Sequence, residues 1–432
     1  MGVSQRGSVF QRCGCRDEAT KRQLNDTCPG LADPGHGTWY FAAYVPTLTG
    51  GRDRIRRGGH RSRAEAEQAR LDLLALPDNR AAGQSLTLQR WLTQWLSANQ
   101  GRIRPSTMRS YREHVHNYLV PALGRMELAN LRISHVQAAF RDIGTRRTRS
   151  GRLLASSTQN RIRATLRSAL SEAVRQDFIT TNPASRIRLP NPRPVHPVLW
   201  TATREASWRA TGVRPSVAVW TRQQLVAFLT TIRNDRHFSL WWLVALTGLR
   251  RGETAALRWS DIDLDHATLT VSEQIVVVDG QDVIGPPKSA SSCRTIALDA
   301  TTVGLLRGEW RRHCHTLQTT GRNRAGYVFV NAKGHPLRPD YLTRRLRKLI
   351  ANAGLPPVRL HDLRHGAASL ALAAGVGLKV VQHLLGHASI VTTADIYTTV
   401  LAEAARDGAE ATAAFVLDAA RTRLSLGGAS QA

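Results

Sequence analysis

His361-Asp362-Leu363-Arg364-His365, then Leu385-Gly386-His387, then Tyr397: the chain is best read outward from these residues. His361 and Arg364 stand three positions apart, so on a helix they share one face. Gly375 and Gly377 break that helix, and Gly386 is placed to cap the next short apolar run, Leu378 to Leu385. His387 follows the cap, and Tyr397 comes ten residues later. Two imidazoles, a guanidinium and a phenol are thus gathered, without a carboxylate cluster of the kind that holds a metal. Such groups suit an anionic substrate attacked by a hydroxyl, and a phosphodiester fits that description.

The bulk composition agrees. With 60 basic residues against 32 acidic ones the 432-residue chain carries a formal charge of +28, which calls for a polyanionic partner. Nucleic acid is the leading candidate. A membrane surface is the weaker one, because the arginines are spread along the chain and not clustered beside an amphipathic anchor. A hydrophobic content of 42% and a charged content of 21% are those of a folded globular protein. No apolar run approaches membrane-spanning length and the first twelve residues lack a signal-peptide core, so a cytoplasmic location is expected. Lysine is scarce: Lys21, Lys288, Lys333, Lys348 and Lys379 are the whole set. Against an arginine-rich background, each lysine carries more information than usual.

Taken in order, the chain begins with Cys13, Cys15, Cys28 and His36, four groups able to ligate zinc at a spacing that matches no strong finger pattern. Whether they bind a structural zinc stays open at this stage. Cys293 and Cys314 read as inert thiols, and no disulfide is expected. Thr38 to Pro46 and Arg52 to Arg57 read as two strands around Gly50-Gly51, and Ser62-Arg63-Ala64-Glu65 is a capping box opening a helix to about Leu76. Residues 84–183 read as four helices. The second is expected to stop at Pro121, the third to be capped by Ser134, and the fourth to end at Asn182-Pro183. A basic loop, 146–152, joins the last two. The prolines of 190–217 predict a linker. Beyond it, Thr221 to Gln224 is a capping box, Phe238 to Thr247 an apolar helix, and Thr247-Gly248-Leu249-Arg250-Arg251-Gly252-Glu253 a turn into another helix. Strands are expected at Thr268 to Val271, Gln274 to Val278, Thr295 to Leu298 and Tyr327 to Val330. Asp279-Gly280 signals a hairpin, and Lys288 to Arg294 reads as a second one.

Thr247-Gly248-Leu249-Arg250 with Glu253, His361-x-x-Arg364 with His365, Leu385-Gly386-His387 and Tyr397 together resemble the two active-site boxes of the tyrosine recombinase, or phage integrase, family. The likeness extends to the layout of the whole chain. It implies a multidomain, mainly α fold with small antiparallel sheets. Residues 1–80 would form an arm-type DNA-binding-like domain and 84–189 a SAM-like core-binding helical domain. Residues 190–217 would be the linker, 218–411 the catalytic domain and 412–432 a tail. The resemblance also implies double-stranded DNA with core and arm attachment sites as substrate. Further implied partners are a homotetramer on that DNA, an excisionase and a host DNA-bending protein.

It assigns roles as well. Tyr397 would be the nucleophile, esterified to a DNA 3′ phosphate. Arg250 and Arg364 would clamp the non-bridging oxygens, since guanidinium forks match phosphate and the transition state carries more charge there. Arg250 is preferred to Arg251 because it directly follows Thr-Gly-Leu. His361 would handle the Tyr397 proton and His387 would hydrogen-bond the phosphate, with His365 and Glu253 in support. Lys288 would protonate the leaving 5′-hydroxyl, a task that arginine, with a pKa above ~12, performs poorly. Neither a cofactor nor a catalytic metal is expected, and no Gly-x-x-x-x-Gly-Lys-[Ser/Thr] loop occurs. Two alternatives use the same residues differently: a type IB topoisomerase-like nicking-closing enzyme, or a non-catalytic DNA-binding protein.

Overall fold

The structure, a computed structural model, describes residues 7–33, 35–47, 50–148, 151–191, 196–323, 325–387 and 389. Tyr397 and the expected tail lie outside these residues. The chain divides into two compact units, Met1–Arg193 and Pro194–Ala432.

The first unit opens with a four-stranded antiparallel sheet, built from β1 (Ser8–Arg16), β2 (Gln23–Asn25), β3 (Thr38–Pro46) and β4 (Arg52–His60) in the order β2-β1-β3-β4. Sequence patterning locates β3 and β4 but not the first two strands. The run Ser-Val-Phe-Gln-Arg-Cys-Gly-Cys-Arg of β1 lacks the apolar alternation of a half-buried strand. Helix α1 (Arg63–Leu74) is capped as expected, with the Ser62 hydroxyl accepting from the Glu65 N–H at 3.1 Å. It closes a small core of Phe41, Val45, Ile55 and Leu73, joined by Ala81 of α2 (Asp78–Gly83).

A helical bundle follows: α3 (Leu88–Asn99), α4 (Pro105–His114), α5 (Val120–Leu123), α6 (Ile133–Thr145) and α7 (Ser156–Arg175). Trp91 is a core residue here, its indole N–H donating to the Ala169 carbonyl at 3.0 Å. Three helix ends differ from expectation. Pro121 does not end a helix: the chain passes from α4 through a π turn, Val115–Leu119, into α5. Pro121 stands just after the π turn, and the Asn117 carbonyl four residues before it accepts from Arg146 Nη1 at 2.9 Å in place of the missing N–H. Arg132, not Ser134, caps α6, and α7 ends at Arg175. Asn182-Pro183 instead opens a separate 3₁₀ turn, the Asn182 side chain accepting from the Ala184 N–H at 3.0 Å.

In the second unit, much of the stretch expected to be a linker is folded. β5 (Val198–Leu199) and β6 (Ala218–Val219) pair in parallel around α8 (Ala202–Thr211). Trp200 is buried and donates to the Pro357 carbonyl at 3.3 Å. Four of the five prolines stand at the beginning of this stretch and Pro215 near its end. The apolar residues Val198, Trp200 and Trp208 between them pack against the core of the unit.

Helices α9 (Arg222–Thr231), α10 (Phe238–Thr247) and α11 (Arg251–Ala256) lead to strands β7 (Ile262–Asp263), β8 (Thr268–Val271), β9 (Gln274–Val278), β10 (Gln281–Gly285) and β11 (Arg294–Ala297). Helices α12 (Ala300–Thr320), α13 (Pro339–Asn352), α14 (Leu360–Ala373) and α15 (Leu378–Leu385) complete the described part of the unit. β9 and β10 form the hairpin that Asp279-Gly280 announces, with φ of +49° and +81° at the turn. The second expected hairpin is absent. Residues 286–293 connect β10 to β11 through a 3₁₀ turn, Ala290–Ser292, because β11 pairs with β8 and not with β10. Tyr327 to Val330 is likewise no strand but contributes two isolated bridges, Tyr327 to Arg258 and Val330 to Pro336. Among the described residues no helix is long and apolar enough to cross a membrane.

Candidate catalytic site

The turn from α10 to α11 is set by Gly248. Its φ is +63°, and a Cβ there would stand 2.9 Å from Leu385 Cδ2, so this close approach suits glycine. Two residues later Arg250 caps α11. Its backbone N–H donates to Glu253 Oε2 at 2.9 Å and its Nη1 to Glu253 Oε1 at 2.6 Å. Glu253 is buried. Burial opposes its ionisation, but Arg294 and then Arg250 more than offset this and hold the carboxyl below its usual range.

From that anchor Arg250 reaches across with Nη2 to the Gly386 carbonyl at 3.1 Å. Arg364, on α14, is almost wholly buried. It donates through Nη1 to the Gly248 carbonyl at 2.8 Å and through Nη2 to the Leu385 carbonyl. The main chain of Leu385-Gly386 is therefore held by two guanidiniums from distant parts of the sequence. Gly386 ends α15 with φ +61°, and a Cβ on it would lie 2.7 Å from the Ser291 carbonyl.

A third arginine completes the arrangement, and sequence reasoning passed over it. Arg294 is 4% exposed. It donates to Glu253 Oε2 at 3.0 Å, to the Leu384 carbonyl at 2.7 Å and to the Ser292 carbonyl at 2.9 Å. Alternation along β11 was the available signal: Arg294 shares the inward face with Ile296. Arg250, Arg294, Arg364 and Glu253 together leave a surplus of two positive charges, complementary to a phosphoryl group whose charge grows during reaction.

The histidines gather at the same place. His361 and His365 lie one turn apart on α14 with ring centroids 5.1 Å apart, edge to face. His361 is exposed, yet desolvation by the protein around it, then Arg364, lowers its pKa. Burial, then His361, brings His365 down to about 4. Burial, then Arg364 and Arg250, brings His387 down to about 3. Both are therefore neutral at pH 7, able to donate one N–H and accept at the other nitrogen.

Lys288 is exposed on the connection after β10. Its neighbour Ser289 lies 3.0 Å, Oγ to Oγ, from Ser292, whose hydroxyl in turn accepts from Arg250 Nη1 at 3.3 Å. Beside the arginines a cavity of about 850 Å³ is lined by Arg209, Arg214, Arg250, Arg251, Arg347 and Arg359, by His361 and by apolar residues such as Trp208, Leu249 and Ile350. A second cavity, of about 530 Å³, is lined by α12, the segment 233–239 leading into α10 and residues 328–330, and contains none of the candidate residues. The structure thus brings Arg250, Arg364, Glu253 and Gly386 into one hydrogen-bonded group, with His361, His365 and His387 around it. Lys288 lies on a solvent-facing segment leading into that group, and Tyr397 falls outside the described residues.

Comparison with known proteins gives a consistent result. Residues 219–404 match the phage integrase family, and residues 87–142 match the N-terminal SAM-like domain of phage integrases. The ICEBs1 integrase of Bacillus subtilis is 27% identical over 258 residues, a match covering 56% of this chain and 62% of that one. This chain therefore spans somewhat under two thirds of that relative. A tyrosine recombinase XerC-like protein of Caldanaerobacter subterraneus is 25% identical, with 69% of this chain and 75% of the relative covered. Among solved structures, the Tn1549 transposon integrase bound to transposon right end DNA shares the fold. Its TM-score is 0.58 at 19% identity, over 74% of this chain and 99% of that one.

Proposed function

We infer that this chain, which belongs to the tyrosine recombinase (phage integrase) family of DNA strand-exchange enzymes, integrates a mobile element by site-specific cutting and rejoining of DNA. Tyr397 attacks a scissile phosphate, forms a 3′-phosphotyrosyl ester and releases a 5′-hydroxyl. A 5′-hydroxyl from the partner strand then reverses the step. The bond energy is kept in the ester, so the two transesterifications need no nucleotide. Arg250 and Arg364 hold the non-bridging oxygens, His361 takes the Tyr397 proton, His387 donates a hydrogen bond to the phosphate and Lys288 supplies the proton to the leaving oxygen. Arg294 and Glu253 are positioning residues that fix Arg250. Exchange of four strands calls for four nucleophiles, hence a tetramer on DNA, in which residues 1–80 bind arm sites and 84–189 help to bind the core site.

The observation that carries this reading is the convergence of Arg250 and Arg364 on Leu385-Gly386, next to His387 and above Glu253. Two charged forks fixed by the main chain, beside neutral imidazoles and a basic cavity, form a preorganised phosphate cradle. The test is a nicked suicide duplex carrying the element's core site. The wild-type protein should form a covalent protein–DNA adduct that resists denaturant, while Tyr397→Phe binds the duplex without forming it. An adduct that persists undiminished in Tyr397→Phe would refute the assignment.

A further inference from the structure

Four donor groups that strand exchange leaves unused converge in the N-terminal sheet region. Cys13 and Cys15 alternate on β1 and share a face, Cys28 immediately precedes the 3₁₀ turn Pro29–Ala32, and His36 lies just before β3. Their ligating atoms all lie within 4.8 Å of one another. Cys15 Sγ at 3.4 Å and Cys28 Sγ at 3.5 Å face the same atom, His36 Nε2. A ring nitrogen carries one proton or one lone pair, so it cannot make a good hydrogen bond to two thiols at once. A metal ion removes the conflict. With Zn–S of about 2.3 Å and Zn–N of about 2.0–2.1 Å, the sulfur-to-nitrogen edge of a tetrahedral site is ~3.5 Å.

Packing supplies an independent reason. Among the described residues from Gln11 to Tyr40, Cys28 alone is buried. The core under the sheet, formed by Phe41, Val45, Ile55 and Leu73, draws nothing from this stretch. A segment of this size without an apolar core needs another tie to hold one shape. The ring is also given room: a Cβ on Gly30 would stand 2.9 Å from His36 Nε2.

We propose that Cys13, Cys15, Cys28 and His36 bind one zinc ion as a closed Cys₃His structural site, tying the 3₁₀ turn Pro29–Ala32 and the residues just before β3 to β1. The three thiols release their protons on binding, and three thiolates with one neutral imidazole match the tetrahedral preference of zinc.

The experiment uses the full-length protein, loaded with zinc, freed of excess and measured by mass spectrometry for metal. One zinc per chain is expected, falling to background in Cys13→Ser and Cys28→Ser and unchanged in Cys293→Ser. Because a serine variant can lose metal by failing to fold, the wild-type chain is also stripped and reloaded with cobalt(II). It should show thiolate-to-cobalt charge transfer and the intense visible bands of tetrahedral cobalt. His36→Cys should keep one metal per chain with a spectrum shifted toward four-sulfur ligation. Well under one zinc per wild-type chain, a weak octahedral cobalt spectrum, or equal zinc loss in Cys293→Ser would each overturn the proposal.

Discussion

At Arg250 one side chain makes two ties, an ion pair with Glu253 and a hydrogen bond to the Gly386 carbonyl, so its position is fixed before any substrate arrives. Arg364 is fixed more firmly still, buried against the carbonyls of Gly248 and Leu385. Preorganised donors of this sort are worth about a hundred- to a thousandfold each in rate. Lys288 contrasts with both, being exposed and near the site only through the serines that follow it. A proton donor needs only to be delivered at the moment of reaction, and its loss should cost about a hundred- to ten-thousandfold in cleavage. Replacing the bridging 5′ oxygen with sulfur, a better leaving group, should restore most of the rate to Lys288→Ala. A variant equally slow on both substrates would remove Lys288 from that role. Motif spacing made Arg250, Arg364, His361 and His387 legible as candidates. Arg294 was passed over: its alternation with Ile296 along β11 marks an inward-facing side chain, but nothing local marks the carboxylate and two carbonyls that it bonds.

Elements were legible where one periodicity dominates: α10, α15, β3, β8 and β9 run between the residues that the sequence indicates. Errors gathered where long-range pairing decides. β11 joins β8 across the β9–β10 hairpin, so the local hairpin signal before it misled. Trp200 folds a proline-marked stretch into the core, which no local rule anticipates. The end of α15 shows how one backbone position serves the site. Gly386 adopts a left-handed conformation against the Ser291 carbonyl and Arg294, and presents its own carbonyl to Arg250. Gly386→Ala should therefore destabilise the protein by about 1–3 kcal/mol. It should also abolish cleavage, because relieving the contact moves the carbonyl. Thermal denaturation and adduct yield check this together, and wild-type values for both would contradict the account.

For the whole molecule, the surplus of basic residues pointed to a polyanion before any fold was known, and the family matches to both units agree with that reading. The division of labour follows the chain. The first unit holds the sheet and the helical bundle, and the second holds the cradle of arginines and histidines. The account as a whole depends on a single covalent bond between a tyrosine oxygen and the 3′ phosphate of cleaved DNA. The most direct measurement traps the adduct on a suicide duplex, digests both polymers and sequences the peptide that retains a nucleotide by mass spectrometry. A nucleotide on Tyr397, linked through a 3′ phosphate, is the expected result; a 5′ linkage, or a nucleotide on a serine such as Ser289 or on another tyrosine, would contradict the account.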